Sequence, residues 1–318
     1  YRTDTTSISL LPLSGTSELD QLVSAMSAGN VAAVIHFDSN PVYHLPGDIG
    51  YKQALKKVPT VVTLCELENE SSEASDYILP ISHELESWGD AKTRTGFISI
   101  KQPVIYPILD TRQKEAVILT WANGKADSYN INLVHDYMMK FYQDEIYTAS
   151  GSPLTFKEFW LSALHDGIVI TNEPAIAGES RIIYSADEEY KSAGISGYAL
   201  ILKESTNTGD GRYSNNGWLQ ELPHPVTKVT WDNYAAISPA TAKELGVDYN
   251  DIIKIKAGGR SLEIPVFIQP GSADKTITIE LGYGRSKTGI VGTGAGFNAN
   301  ALLSKNEGLS PWLYTGVS

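Results

Sequence analysis

The feature that most constrains the fold is a regular alternation of helical and strand patterns over residues 17–80. Residues 17–29 carry apolar side chains at helical spacing, and the segments 31–37, 60–65 and 76–80 are short apolar runs separated by polar helical stretches. Strands that are apolar throughout are typical of a parallel sheet buried on both faces. The alternation therefore predicts a Rossmann-like α/β layer with a parallel sheet.

The middle of the chain is helical in pattern. Residues 130–146 place their apolar side chains near one helical face. A second helix, at 155–165, opens with the capping box formed by Thr155 and Glu158 and ends at Gly167. These helices read as an insert into the α/β domain.

The last hundred residues are rich in strand and turn signals. A short helix begins at Ser238, a hairpin turns at Gly258-Gly259, residues 276–281 alternate with period two, and residues 282–296 are glycine-rich. This pattern predicts a small β-barrel. We place the boundary at a polar loop, which gives an α/β domain with a helical insert at 1–215 and a barrel at 216–318.

Composition excludes several functions. The chain has 318 residues with 25 Lys+Arg against 37 Asp+Glu, a net charge of −12, so a general nucleic-acid phosphate binder is not expected. The one cysteine, Cys65, excludes an internal disulfide and an iron–sulfur cluster ligated by cysteines of this chain alone. No apolar run has the length of a membrane span.

The ends of the sequence favour a piece of a longer protein. The chain begins at Tyr1 without an initiator Met or a signal peptide, and it ends at Ser318 without an obvious terminator. We therefore expect the segment that carries the cellular address to lie outside this sequence.

The common catalytic and metal motifs are missing, so we assign no catalytic and no metal-binding residue. The histidines form no HxH or HxxxH pair, and Ser87 stands where the second His of an H-E-x-x-H zinc motif belongs after His83. Cys65 ends an apolar strand, which favours inert packing. The run 292–296 (GTGAG) can expose backbone N–H groups to an anion, but it lacks the G-x-G-x-x-G spacing, and we favour its interpretation as a glycine-rich barrel loop.

Polar residues follow the first two predicted strands. Asp38, Ser39, Asn40 and Pro41 form a turn after the first strand, and Glu66 follows the second. Open α/β sheets bind ligands at this edge, so Asp38 and Asn40 are candidates to read a purine or a ribose hydroxyl. The same residues are also common Asx-turn formers, and the sequence does not decide between the two interpretations.

Three stretches together resemble the molybdopterin oxidoreductases, the dimethyl-sulfoxide-reductase superfamily. They are the strand and turn 34–41, the segment 65–90 with its Asp76-Tyr77-Ile78-Leu79-Pro80 and Glu86, and the C-terminal part from 236 to 284. The last stretch is similar to the molybdopterin-dinucleotide-binding barrel of that superfamily, which implies a double-psi-type barrel. Within the superfamily, the segments 88–113 and 224–234 are most similar to the B subunit of bacterial alternative complex III.

The resemblance implies a pterin-facing site, if that site is retained. The cofactor implied is molybdopterin guanine dinucleotide. Backbone amides and short polar groups suit its pyrophosphate and guanine. The candidate cofactor-binding residues are Asp38, Ser39, Asn40, Glu66, Gly282, Tyr283, Gly284 and Arg285.

Departures from the superfamily pattern lead us to expect no cofactor in this piece. The residue that ligates molybdenum in the superfamily lies upstream of the region covered here, and the cluster-binding cysteines are absent. Asp90 and Ala91 replace the expected Gly-Thr/Asn after the E-x-x-G motif. Any 4Fe–4S clusters are expected elsewhere in the full chain.

The resemblance to the alternative complex III subunit implies electron transport in a respiratory chain. We expect an oxidoreductase subunit that acts as a scaffold without molybdenum in a quinol-oxidising complex and is not catalytic alone. Its expected partners are an iron–sulfur part, a haem cytochrome and quinol-binding membrane subunits, with the protein peripheral on the periplasmic side of the bacterial inner membrane. The acidic balance also suits cationic haem proteins.

Two alternatives remain open. The first is part of a catalytic molybdenum bis-pterin reductase of the polysulfide, thiosulfate or tetrathionate type. The second is an unrelated nucleotide-binding α/β protein, which a last hundred residues without a closed barrel would favour.

Overall fold

The computed structural model describes residues 15–172, 197–305 and 314–318. These residues form two compact units, one containing 80–172 and the other combining 15–79 with the described residues after 197. Both sides of residue 215 lie in the same unit, and the predicted boundary there remains a prediction.

The first segment of the second unit contains a three-stranded sheet in the order β1-β2-β3. Strand β1 runs parallel to β2, with Ala33 opposite Thr60. The strands are β1 (Ala33–Phe37), β2 (Thr60–Cys65) and β3 (Tyr77–Pro80). The helices are α1 (Thr16–Ser27), α2 (Pro41–His44), α3 (Tyr51–Leu55) and α4 (Glu70–Glu73), with a 3-10 turn at Gly47–Ile49.

One face of this sheet is covered and the other is partly open. Met26 of α1, Leu55 of α3 and Val61 of β2 form a buried core. Because side chains alternate along a strand, His36 points to the covered face and is buried, whereas its neighbour Ile35 is 48% exposed. The expectation that the first strand is buried on both faces is therefore wrong.

The unit of residues 80–172 is an antiparallel sheet packed with helices. Its strands, in the order β4-β5-β6, are β4 (Gly89–Arg94), β5 (Phe97–Lys101) and β6 (Ile168–Ile170). Its helices are α5 (Lys114–Asn123), α6 (Leu133–Phe141), α7 (Tyr147–Ser150) and α8 (Phe156–Asp166), with 3-10 turns at Glu84–Glu86 and Ala126–Ser128 and a π turn at Tyr142–Ile146.

Local signals place the helices of this unit. Thr155 caps α8, accepting a hydrogen bond from the backbone N–H of Glu158, and Gly167 ends the helix in the left-handed conformation. Both features confirm the sequence prediction. Tyr142 and Trp160 pack edge to face at 5.3 Å in the core of the unit.

The rest of the second unit is a curled six-stranded sheet in the order β12-β7-β11-β8-β10-β9. The strands are β7 (Tyr198–Lys203), β8 (Ala235–Ile237), β9 (Ile252–Ala257), β10 (Arg260–Ile268), β11 (Thr276–Glu280) and β12 (Tyr314–Val317). The helices are α9 (Gly217–Glu221) and α10 (Pro239–Leu245), with a 3-10 turn at Ala299–Leu302.

The two edge strands of this sheet meet. The backbone N–H of Lys256, in β9, donates to Ser318 O at 2.6 Å, and Ser318 N–H donates to Lys256 O at 3.1 Å. Side chains such as Leu200, Ile264 and Ile279 fill the interior. The mixed α/β class is confirmed, whereas the double-psi strand crossing remains a prediction.

Candidate functional site

Two of the predicted cofactor-binding residues converge on a carboxylate that the sequence analysis did not single out. Asn40 is the residue before α2, at the carboxyl end of β1, and Arg285 lies in the glycine-rich loop after β11. Both reach Glu70, the first residue of α4. All three residues are buried, with Asn40 6%, Arg285 4% and Glu70 7% exposed.

The Glu70 carboxylate accepts hydrogen bonds from every side of this pocket. Arg285 Nε lies 3.0 Å from each carboxylate oxygen, and Arg285 Nη2 donates to Oε2 at 2.8 Å. The backbone N–H groups of Ser286 and Lys287 donate to Oε1 at 2.8 and 3.2 Å. Asn40 Nδ2 donates to Oε2 at 2.7 Å. The buried negative charge is therefore fully solvated by protein donors.

Arg285 is also held by groups other than Glu70. Its Nη1 donates to Gly211 O at 2.6 Å and its Nη2 to Lys287 O at 3.2 Å. The guanidinium lies 4.6 Å from the centre of the Tyr43 ring, a cation–π distance. Tyr43 Oη in turn donates to Tyr283 O at 2.7 Å, so the predicted residue Tyr283 supports the cluster through its backbone.

The electrostatics of the cluster favour an ionised Glu70. Burial alone raises the pKa of the Glu70 carboxyl, but the hydrogen bonds and charge of Arg285 and the amide of Asn40 bring it below its ordinary value. Burial likewise raises the pKa of the Tyr43 hydroxyl, against the opposing charge of Arg285. The pair is an ion pair at neutral pH, with Tyr43 protonated beside it.

The two predicted glycines serve close backbone packing within the protein. Gly282 has a φ of +92°, and a Cβ there would lie 2.6 Å from Gly209 O. Gly284 has a φ of +65°, and a Cβ there would overlap the backbone of Phe297 and Asn298. The chain itself fills the space beside both glycines, so neither forms an open cradle for a ligand.

The other predicted residues lie at the surface. Asp38, which has a positive φ of 53°, Ser39 and Glu66 are exposed at the carboxyl ends of β1 and β2. The structure brings Asn40 and Arg285 together at Glu70 and links Tyr283 to them through Tyr43, whereas Gly282 and Gly284 pack against other backbone segments.

The neighbouring cations also have carboxylate partners. Lys287 Nζ lies 2.7 Å from Glu68, and Arg212 Nη2 lies 3.0 Å from Asp210. A pyrophosphate needs cations or N–H groups directed at its oxygens. As placed, Arg285 and Asn40 do not fit a dinucleotide phosphate, because their donors are directed at Glu70. The part of the predicted residues in pterin binding remains a prediction.

The sequence-based assignments of no metal site and an inert thiol can be compared with the geometry. Within residues 15–172, 197–305 and 314–318, no group of three or more His, Cys, Asp or Glu side chains is placed to hold a metal ion. Cys65 is buried, and burial raises the pKa of its thiol to about 11, so the thiolate that reacts or binds metals is not formed at neutral pH. In the same described ranges, no helix has the length and apolarity needed to cross a membrane.

A separate cavity of 360 Å³ lies in the unit of residues 80–172. Trp88, Tyr129 and His135 line it together with the apolar segment 103–107. Trp88 and His135 are in ring contact at 4.8 Å. None of the predicted cofactor-binding residues lines this cavity.

Sequence reasoning missed Glu70 and Tyr43. Glu70 lies inside the segment that carries the family resemblance, where it was one of several acidic residues between Glu66 and Asp76. The available signal is an acidic residue that opens a polar helix directly after a strand of a parallel sheet. That pattern does not predict that Glu70 pairs with Arg285, which lies 215 residues away in the sequence.

One relative and one solved structure illustrate what the chain is similar to. The chain is 24% identical over 324 residues to the "menaquinone reductase, molybdopterin-binding-like subunit" of Nitratidesulfovibrio vulgaris. The aligned region covers 95% of this chain and 44% of the relative. The fold matches acetylene hydratase from Pelobacter acetylenicus with a TM-score of 0.64, 16% identity and coverage of 92% of this chain and 43% of that one. The predicted resemblance to molybdopterin oxidoreductases is confirmed.

The molybdopterin-oxidoreductase likeness covers most of this chain but only part of its relatives. The chain spans less than half the length of either protein. No family model matches the sequence.

Proposed function

We propose that this chain is the molybdopterin-oxidoreductase-like part of a quinone-linked respiratory complex, in which it serves as a scaffold without molybdenum. The relative from Nitratidesulfovibrio vulgaris supports the first half of the proposal, because its name joins a molybdopterin-binding-like subunit to menaquinone chemistry. The direction that we propose, oxidation of a quinol, rests on the resemblance to the B subunit of alternative complex III, whereas the relative is named for reduction of menaquinone.

The observation that carries the scaffold role is the buried pair of Glu70 and Arg285. The donors that would face a cofactor phosphate are used by a carboxylate of the same chain. A buried anion satisfied by an arginine and two backbone amides is not displaced by a second anion without leaving its own charge unpaired. The cluster therefore supports a structural role for these residues rather than binding of a cofactor phosphate.

The finer assignments follow from the resemblance to the B subunit of alternative complex III. We propose that an iron–sulfur part with 4Fe–4S clusters, a haem cytochrome and quinol-binding membrane subunits assemble with this chain. We also propose that it lies on the periplasmic side of the bacterial inner membrane as a peripheral protein, and that its curled sheet is a double-psi-type barrel.

The test is the metal and pterin content of the native complex. An affinity tag is added to the gene in its own organism, the intact complex is purified from membranes, and molybdenum, iron and haem are measured together with the fluorescence of oxidised pterin. We expect iron and haem to accompany the tagged chain, with molybdenum and pterin far below one per chain.

Stoichiometric molybdenum and pterin in the same preparation would overturn the scaffold role. That result would favour the alternative, part of a catalytic molybdenum bis-pterin reductase of the polysulfide, thiosulfate or tetrathionate type. A preparation that lacks molybdenum and also lacks iron and haem would contradict the assignment to a respiratory complex.

A further inference from the structure

We infer that Glu70 is a built-in replacement for an anionic ligand, filling a phosphate-type cradle formed by Arg285, Asn40 and the backbone amides of Ser286 and Lys287. The inference deepens the proposed function and rests on it, since it explains how the chain keeps this cluster intact without a cofactor. The ligand class that the cradle would take in the absence of Glu70 is a phosphate or pyrophosphate group.

The donors have the composition of an anion site. Arg285 presents two N–H groups in a fork, Ser286 and Lys287 present consecutive backbone amides, and Asn40 presents a side-chain amide, all at 2.7 to 3.2 Å from the Glu70 oxygens. Consecutive amides and a guanidinium fork are the groups that proteins use for phosphate oxygens. A carboxylate is the smaller anion that the same donors accept.

The cradle is positioned by contacts that do not involve Glu70. Arg285 is fixed by Gly211 O, Lys287 O and the ring of Tyr43. Asn40 is oriented through its Oδ1, which accepts from the N–H of Ser71 at 3.1 Å and from its Oγ at 2.8 Å. Shortening the Glu70 side chain therefore leaves the donors in place.

The charge balance makes an empty cradle costly. Arg285 is 4% exposed, and among the residues that the structure describes Glu70 is the carboxylate within hydrogen-bond distance of it. Removing the carboxylate leaves a guanidinium buried without a counter-ion, which is a strongly unfavourable state. An anion of the right size that enters the vacated space relieves it.

The experiment measures the thermal stability of the full chain with and without inorganic pyrophosphate, with sodium chloride matching the ionic strength. Glu70→Ala and Glu70→Ser vacate the space and remove the charge. Glu70→Gln removes the charge but keeps the volume, and Glu263→Ala removes an exposed carboxylate that pairs with Lys254. Guanosine diphosphate is a second probe, which separates a bare pyrophosphate site from one that also accepts a nucleoside.

We expect pyrophosphate to raise the Tm of Glu70→Ala and Glu70→Ser in a saturable way, with no saturable rise for the wild type, Glu70→Gln or Glu263→Ala. If Glu70→Ala or Glu70→Ser folds only when pyrophosphate is present, that result supports the inference equally. The inference is overturned if the wild type shows the same rise, or if neither small variant is stabilised or refolded by pyrophosphate. The second result, together with a molybdenum-free complex, would leave the proposed function intact and remove only the role given to Glu70.

Discussion

Two long-range ion pairs join the first segment of the second unit to its C-terminal part, and they differ in burial. Glu70 and Arg285 are separated by 215 residues and expose only 8% and 4% of their side chains. Asp48 and Arg260 are separated by 212 residues and expose 28% and 18%. The two pairs span similar sequence distances, so their difference isolates the effect of burial.

The comparison shows that loss of a carboxylate–guanidinium pair should have different effects on stability at the two sites. At Asp48, the donors are Arg260, Ser304 Oγ and the Lys305 amide, and the side chain is 28% exposed, so solvent can reach the carboxylate when one partner is lost. Glu70 and Arg285 are only 8% and 4% exposed, so loss of the carboxylate leaves the Arg285 charge in the interior, where solvent does not reach it. We therefore expect loss of the buried Glu70–Arg285 pair to lower the free energy of unfolding more than loss of the partly exposed Asp48–Arg260 pair.

The largest expected effect comes from breaking the buried pair. Glu70→Gln should lower the free energy of unfolding by about 3–5 kcal/mol, because it leaves a buried guanidinium unpaired. Chemical denaturation of the full chain, followed by circular dichroism, measures the loss. A loss below about 1 kcal/mol would place the pair in the same class as a surface ion pair.

The next prediction compares the buried ion pair with His36, a buried polar side chain that is neutral. His36 is 3% exposed, lies 2.7 Å from Thr63 Oγ1 and from Tyr51 Oη, and burial lowers its pKa to about 4. Burial raises the pKa of Tyr51 to about 12, so Tyr51 remains protonated when His36 titrates. Between pH 6.5 and about 4 the unfolded chain therefore binds a proton at this histidine that the folded chain does not.

The stability contributed by neutral His36 is present above pH 6.5 and falls as the pH drops towards 4, by up to roughly 3 kcal/mol. Urea denaturation of the wild type and of His36→Gln across this range isolates the effect from that of His44, whose pKa burial also lowers. The stability difference between the two proteins should shrink as the pH falls. A difference that stays constant would show that His36 does not titrate there.

A smaller effect on stability is expected at the partly exposed pair of Asp48 and Arg260. Asp48→Asn should lower the free energy of unfolding by roughly 1 kcal/mol, since the amide still accepts from Ser304 and the pair is more exposed than Glu70 and Arg285. The same denaturation assay applies, at low and at high salt. A loss as large as that of Glu70→Gln would show that burial does not separate the two pairs.

The smallest effect is expected at an exposed cross-strand pair. Lys254 Nζ lies 3.2 Å from Glu263 in the β9–β10 hairpin, with side chains that are 52% and 65% exposed. Glu263→Gln should change the free energy of unfolding by less than about 0.5 kcal/mol. This variant sets the baseline of the series, and a loss of several kcal/mol would remove the basis for ranking the pairs by exposure.

Local features of the fold followed from the sequence. The hairpin 252–268 turns at Gly258-Gly259 as predicted, and the capping box at Thr155 opens α8. These elements are set by neighbouring residues, through turn conformation and capping hydrogen bonds. The burial of the first strand was predicted wrongly, because an apolar residue such as Ile35 does not report what covers it.

The candidate site could be predicted only in part. The turn at Asn40 and the loop at Arg285 were both singled out, since turns and glycine-rich loops have recognisable sequences. Their common partner Glu70 was not, because a pairing across 215 residues leaves no local pattern in either segment. The direction of a side chain towards another chain segment depends on the assembled fold.

The separation of Glu70 from Arg285 has a consequence for the order of events during synthesis. At about 5–20 residues per second, a ribosome needs roughly 10–40 s to add the 215 residues between them. Residues 80–172 of the first unit are synthesised within that interval, while the second unit still lacks the part of its sequence that follows them. Until Arg285 emerges, Glu70 lacks the counter-ion that it has in the finished unit.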